Sequence, residues 1–259
     1  MATTVPATFK KETECPICST KFQVEAVRSS KVRVLETWND FGRKYSKEVN
    51  PLFYSTWTCP KCYYSGNAND EYKRVLPEIK VVILKHYKIL KKFVGNIDFS
   101  ADKTAESAVI SLLLSALCYR LKRASRGYNA SCYMRVAWII RNEDKEEALE
   151  LPFLKKALHA YKYAMTKEYS PAFGKLSEFG IFYIIGLLYY KLGDLDSARD
   201  YISKVVVNKK KVEAFILKFA EIIYDDIKNF KPVVEVPTEE ISEEDKNLAW
   251  LNDLDLSLD

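Results

Sequence analysis

Ile184-Ile-Gly-Leu-Leu-Tyr-Tyr-Lys-Leu-Gly-Asp-Leu-Asp-Ser-Ala-Arg-Asp-Tyr-Ile202 places a small residue at Gly186 and an aromatic three positions later at Tyr189. Gly193 follows as a turn residue, then Ala198 twelve positions after Gly186 and Ile202 four after that. The spacing predicts two helices joined by a tight turn. Gly193 ends the first helix, because glycine takes the left-handed conformation without a Cβ penalty. Gly186 and Ala198 fall where the two helices touch, since only side chains that small let the axes approach closely.

This hairpin resembles a tetratricopeptide repeat, and a degenerate relative stands upstream. Arg135-Val-Ala-Trp-Ile-Ile-Arg141 is followed, after an acidic insertion, by Phe153-Leu-Lys-Lys-Ala-Leu-His-Ala-Tyr161. An ordinary helical hairpin is the competing reading. Further out, Ile79, Val82, Ile83, His86, Tyr87, Leu90 and Phe93 follow helical spacing from Pro77 to a stop at Gly95. Residues 101–124 read as one long helix that is apolar on most of its circumference, which belongs at the centre of a helical body. Helices over 129–141, 145–165, 178–192, 196–207 and 211–228 complete an antiparallel array. Mapped on repeat geometry, Tyr183, Leu187 and Tyr190 form the concave face, an aromatic surface suited to a hydrophobic or amphipathic peptide.

Residues 15–67 have a different texture: short runs rich in Val, Trp, Tyr and Phe, broken at Asn39-Asp40, Phe41-Gly42 and Asn50-Pro51. This is a small β module. At its two ends lie Cys15-Pro-Ile-Cys18 and Cys59-Pro-Lys-Cys62, forty residues apart. Each turn presents two thiolates, and two turns complete a tetrahedral four-sulfur shell. The separation exceeds the usual spacing, but doubling a loop adds only about 0.6 kcal/mol of closure entropy, against roughly 10 to 16 kcal/mol from structural zinc. Structural zinc is the leading reading. A rubredoxin-like iron site uses the same ligands, and dithiol redox chemistry, the third reading, needs a C-x-x-C at a helix start. Both turns lack the glycine that often follows the second cysteine, having Ser19 and Tyr63 there. Cys118 and Cys132 sit in helical apolar runs and read as buried thiols. His86 and His159 have no partner in a catalytic arrangement and read as structural.

The 259 residues are 48% apolar, which excludes wholesale disorder. The net charge of +5 conceals a division: residues 1–70 carry +3, residues 71–234 carry +10, and residues 235–259 carry −8. The start of the chain has no apolar core of a secretory signal, and no apolar run reaches the ~20 residues of a membrane span. The expected location is therefore cytoplasmic, where six cysteines are not a disulfide framework. No phosphate loop, dinucleotide fingerprint, nucleophile elbow or paired-histidine metal helix is present. Arg28, Lys31 and Arg33, beside Trp38, Phe53, Tyr54 and Trp57, suggest a nucleic-acid surface; filling of a small β core is the alternative role for those aromatics. Arg120, Lys122, Arg123 and Arg126 complement a helix C-terminus or receive the acidic tail. That tail, with Trp250 and several leucines, either stays solvated or docks on the helical body or a partner.

Val27-Arg-Ser-Ser-Lys-Val-Arg-Val34, Asp40-Phe41 and Asn50-Pro-Leu-Phe-Tyr-Ser-Thr-Trp-Thr-Cys59-Pro-Lys-Cys62, taken with Cys15-Pro-Ile-Cys18, resemble the bacterial domain of unknown function 2225 family. The match is specific over residues 15–65 and looser to about residue 230; it implies a zinc-ribbon-like module with the ligands Cys15, Cys18, Cys59 and Cys62, followed by tetratricopeptide-like helices. It implies no reaction. Members usually have glycine where this chain has Tyr63, and the acidic tail falls outside the resemblance.

The expected architecture is thus α+β and mostly α: a zinc-ribbon-like β module over 1–70, an antiparallel helical array over 71–232 and an acidic tail over 233–259. The expected function is that of a non-enzymatic bacterial cytosolic adaptor with a structural zinc ion. It would bind a protein or peptide in a helical-repeat groove. A nucleic-acid-binding zinc ribbon is the alternative.

Overall fold

A computed structural model describes residues 5–229, apart from the side chains at 70 and 71. The expectations for the tail after residue 232 lie outside that range. The chain is mostly helical, with three two-stranded antiparallel hairpins first and the helices after them.

The hairpins pair β1 (Thr8–Glu14) with β2 (Lys21–Val27), β3 (Val34–Thr37) with β4 (Arg43–Tyr45), and β5 (Thr56–Thr58) with β6 (Ser65–Asn67). Among the described residues no strand joins one hairpin to another, so what unites them is the body beneath. Helices α1 (Asp70–Lys73), α2 (Pro77–Lys85) and α3 (Tyr87–Val94) lead to α4 (Ala105–Leu121), which is buried at every position from Ser107 to Tyr119. A capping box sets its start: Ser107 N–H donates to Thr104 Oγ1 at 3.1 Å and Thr104 N–H donates to Ser107 Oγ at 3.0 Å. The helix therefore begins at Ala105 rather than Ala101.

Helices α5 (Arg126–Asn142), α6 (Leu151–Lys167), α7 (Glu178–Lys191), α8 (Leu195–Val207) and α9 (Ala214–Asn229) form the array. Two further expectations change. The stripe from Pro77 is two helices, bent at His86 (φ −91°, ψ 9°), whose Nδ1 lies 2.8 Å from the Val82 carbonyl four residues back. That side-chain bond competes with the backbone ladder. The helix expected over 145–165 starts at Leu151, with Pro152 in its first turn, where its missing N–H costs nothing.

The close approach of α7 and α8 is observed. A Cβ on Gly186 would lie 2.8 Å from Ile202 Cδ1, Ala198 is fully buried, and Gly193 has φ +82°. One hydrophobic core runs from Cys15 to Ile227 through α4, so the β hairpins and the helices share it.

Candidate metal centre and adjoining cleft

The four cysteines stand at the tips of two hairpins whose turns are built alike. In the first, Cys15 N–H donates to Thr20 O at 2.9 Å and Ser19 N–H to Cys15 O at 2.9 Å. In the second, Cys59 N–H donates to Tyr64 O at 2.9 Å and Tyr63 N–H to Cys59 O at 3.0 Å. The residue after each second cysteine is left-handed, Ser19 at φ +55° and Tyr63 at φ +60°. These are the two positions where a glycine was missed. The strain is tolerated in part because the Tyr63 ring stacks on Tyr87 at 5.7 Å between centroids.

The sulfurs converge. Cys15 Sγ and Cys62 Sγ are 3.5 Å apart, Cys18 Sγ and Cys59 Sγ 3.6 Å, and all four lie within 4.8 Å of one another. A tetrahedral ion with bonds of about 2.3 Å has edges of about 3.8 Å, so the cage has the size of a metal ion. Three of the four are buried, and Cys18 is half-buried beside Thr20 Oγ1 at 3.2 Å. Electrostatics agree with the geometry. Bonds from the Cys59 and Cys62 thiols pull Cys15 down to about 2, while giving those bonds pushes Cys59 up to about 12 and Cys62 up as well. Thiolate ligands must be deprotonated, so a bound cation and the ionised sulfurs stabilise one another. These residues fit a metal ion held by four thiolates, a soft donor set suited to zinc or iron. Neither C-x-x-C lies at a helix start, as dithiol redox chemistry would require.

Sequence reasoning did not find the shell around this cage. Tyr72, from the single turn of α1, meets Tyr64, Trp57 and Phe22 at ring separations of 5.0, 5.6 and 6.4 Å and shuts out water. A hydroxyl chain seats the second hairpin on the central helix: Ser65 Oγ lies 2.9 Å from Thr58 Oγ1, 2.8 Å from the Ser111 carbonyl and 2.8 Å from Ser115 Oγ. Cys118 and Cys132 are fully buried and not among the four converging sulfurs, Cys118 accepting from the Ser65 N–H at 3.5 Å, and burial pushes them up to about 12 and about 11.

The surface expected on α7 is corrected. Tyr183 and Leu187 are fully buried and Tyr190 is half-buried, so the three do not form an open groove. The chain covers this face itself. Tyr183 Oη donates to the Asn39 carbonyl at 2.8 Å, and Phe41 packs between Tyr183 and Phe215 of α9 at 5.5 and 5.6 Å. Asn39 and Phe41 belong to the β3–β4 turn, which the sequence showed as a turn but not as a plug. Its anchor is Asp40, with no exposed side-chain surface, bonded to Arg141 at 2.9 Å. Arg141 also holds Glu150, 2.9 Å from Nε to Oε1.

Beside the plug an open cleft of about 800 Å³ remains. Ser131, Met134, Arg135 and Trp138 of α5, Phe173 of the α6–α7 loop and Phe41 of the plug are among the residues that line it. Arg135 Nη1 donates to Asn67 Oδ1 at 2.9 Å and meets no carboxylate among the described residues. Of the three basic residues of the nucleic-acid alternative, Arg28 lies over the Phe9 ring at 4.9 Å, Lys31 pairs with Glu48 at 3.5 Å, and Arg33 is exposed. Trp57, expected beside them, is buried.

Residues 8–231 match the model of a family described as uncharacterized protein conserved in bacteria (DUF2225). The chain belongs to this family. An uncharacterized protein of Borreliella burgdorferi is 30% identical over 224 residues, covering 73% of this chain and 79% of that protein. No solved structure matches. The family match spans both cysteine pairs and the whole array, and ends before the acidic tail. No helix among the described residues is long and apolar enough to cross a membrane.

Proposed function

We propose that this protein is a non-enzymatic adaptor of the bacterial cytoplasm that receives an extended segment of a partner protein in the cleft between α5, the α6–α7 loop and the Asn39–Phe41 plug. The cleft itself carries the reading. Its volume of about 800 Å³ lies within the range of specific ligand sites, and its walls combine apolar side chains with a few polar anchors, as such sites do. An array of stacked helices supplies the rigid frame on which a groove of this kind is built.

In this reading the four cysteines hold a structural zinc ion, because four protein thiolates leave no position for substrate. Zinc, when bound, supplies charge and crosslinking; the protein's own hairpins do the rest by carrying the β3–β4 plug to the rim. Metal analysis of purified protein is expected to return one zinc per chain, and iron in its place would overturn that assignment. For the cleft, the test is Ser131→Trp, which fills it from a half-buried position. Partners captured by the tagged wild-type protein should be lost by a folded Ser131→Trp variant. Retention of every partner would remove the adaptor reading.

A further inference from the structure

The cleft has a basic neighbour. Arg120, Arg123 and Arg126 line a second recess of about 450 Å³, together with Tyr163 and residues 168–170. The Arg126 guanidinium lies over the Tyr163 ring at 5.4 Å, and the backbone N–H of Arg126 donates to Glu168 Oε1 at 2.7 Å, which fastens the loop to the start of α5. The recess borders residues 168–170 of the α6–α7 loop and the cleft borders residues 171–176 of the same loop. On the helix side the division falls between Arg126 and Gly127. Two adjoining depressions thus differ in chemistry. One is arginine-rich, and the other is aromatic, with Arg135, Lys175 and the buried Asp40 as its charged lining.

The sequence contains a segment divided in the same way. Glu239, Glu240, Glu243, Glu244 and Asp245 form an acid block, and after it come Leu248, Trp250, Leu251, Leu254 and Leu256, with Asp253 and Asp255 between the leucines. From Asn229, where α9 ends, nineteen residues lead to Leu248. Extended, they reach about 60 Å, against a radius of gyration of about 17 Å for a body of this size. The reach is sufficient.

We infer that the C-terminal segment 239–256 is an internal ligand of this body: its acid block lies over the arginine recess, and Trp250 with its leucines occupies the cleft, where Asp253 or Asp255 meets Arg135. This rests on the proposed cleft as the partner site and adds its regulation, since a partner must displace the tail. It also states the chemistry a partner must offer, namely an apolar segment bearing a carboxylate. The arginine recess alone does not suit the tail, because it borders Glu168 and offers the leucines few apolar walls. The cleft alone leaves the acid block without a counter-charge. Together they match the segment in both charge and apolarity.

The test uses the full-length protein with p-benzoylphenylalanine in place of Trp250. Irradiation should give an intramolecular crosslink mapping to residues 131–138 or 171–176. Its yield should fall about tenfold in Arg123→Glu with Arg126→Glu, and should fall in wild-type contacts as ionic strength rises through the screening range. Arg123→Glu alone, at an exposed position, provides the same readout if the double variant loses its circular dichroism. Crosslinks elsewhere on the body, or only between chains, overturn the inference. A missing crosslink with partner capture still abolished by Ser131→Trp sinks the tail and leaves the adaptor. A cleft crosslink with capture unaffected does the reverse.

Discussion

Asp40 is the residue on which the plug depends, because its carboxylate is wholly desolvated and answered by Arg141. Removing Asp40 strips the Gly42 N–H of its acceptor and Arg141 of one of its two carboxylates, Glu150 keeping the other, at a typical cost of about 1 to 3 kcal/mol. Asp40→Ala should lower stability by that order and loosen the Asn39–Phe41 turn, read as a drop in denaturant midpoint with increased protease cutting near residue 41. Unchanged midpoint and cutting would show that the turn is held elsewhere. The other exacting position is Gly42, where a Cβ would come within 2.5 Å of the Trp138 indole. The two interior thiols make a different residue-scale prediction. Burial pushes Cys118 up to about 12 and Cys132 up to about 11, above the ordinary value near 8.5 of an unfolded thiol. An acid whose folded value is raised stays protonated while its unfolded counterpart ionises. The sign is therefore a loss of stability as pH rises above about 8.5, continuing toward the folded values. Thermal midpoints followed into alkali should fall less steeply in Cys118→Ala with Cys132→Ala; an equal slope would show that other groups, such as the buried tyrosines, carry the alkaline loss.

Among the elements, the α7–α8 hairpin is the most exacting in its packing. Gly186→Val places a Cβ and two methyl groups against Ile202, which is fully buried. Overpacking of this kind costs about 1 to 3 kcal/mol, which at this chain length corresponds to a fall of a few degrees in Tm per kcal/mol. Calorimetry checks it, and a Tm equal to wild type would mean the helices separate without penalty. That hairpin was legible in advance because its constraints are local: one glycine at the contact, one at the stop, and a small partner twelve residues on. The metal cage was legible for the same reason, each C-x-x-C being a complete turn. The groove was not. Tyr183 lies on the face the repeat spacing assigns, yet what covers it comes from Asn39, 144 residues away. No periodicity around Tyr183 reports a turn that arrives from another part of the chain. Tyr72 escaped notice likewise, since a single aromatic in a four-residue helix gives no pattern. The break at His86 escaped because hydrophobic spacing continues across it while the backbone bends.

Across the whole molecule, the cage, the plug and the cleft are mechanically linked through α4. Its serines hold the second cysteine hairpin, its C-terminal half packs the same core as α5, and α5 carries both Arg141, which fixes the plug, and Trp138, which lines the cleft. Nothing in this chain of contacts resembles a flexible linker, so the β module and the array should unfold as one cooperative unit rather than as two. Fluorescence, from Trp38 and Trp57 in the first part, Trp138 in the second and Trp250 in the tail, should trace the same transition as far-ultraviolet circular dichroism of the helices. Stripping the metal makes the prediction sharper. Without the proposed cation the four converging sulfurs, three of them buried, lose their common partner, and the hairpins they join lose the binding free energy that orders them. Chelation, or Cys59→Ser, should therefore shift both probes together to lower temperature and weaken partner capture, although no cysteine borders the cleft. A fluorescence transition that moves while the helical one stays in place would show two independent units, and the metal would then have no hold on the groove.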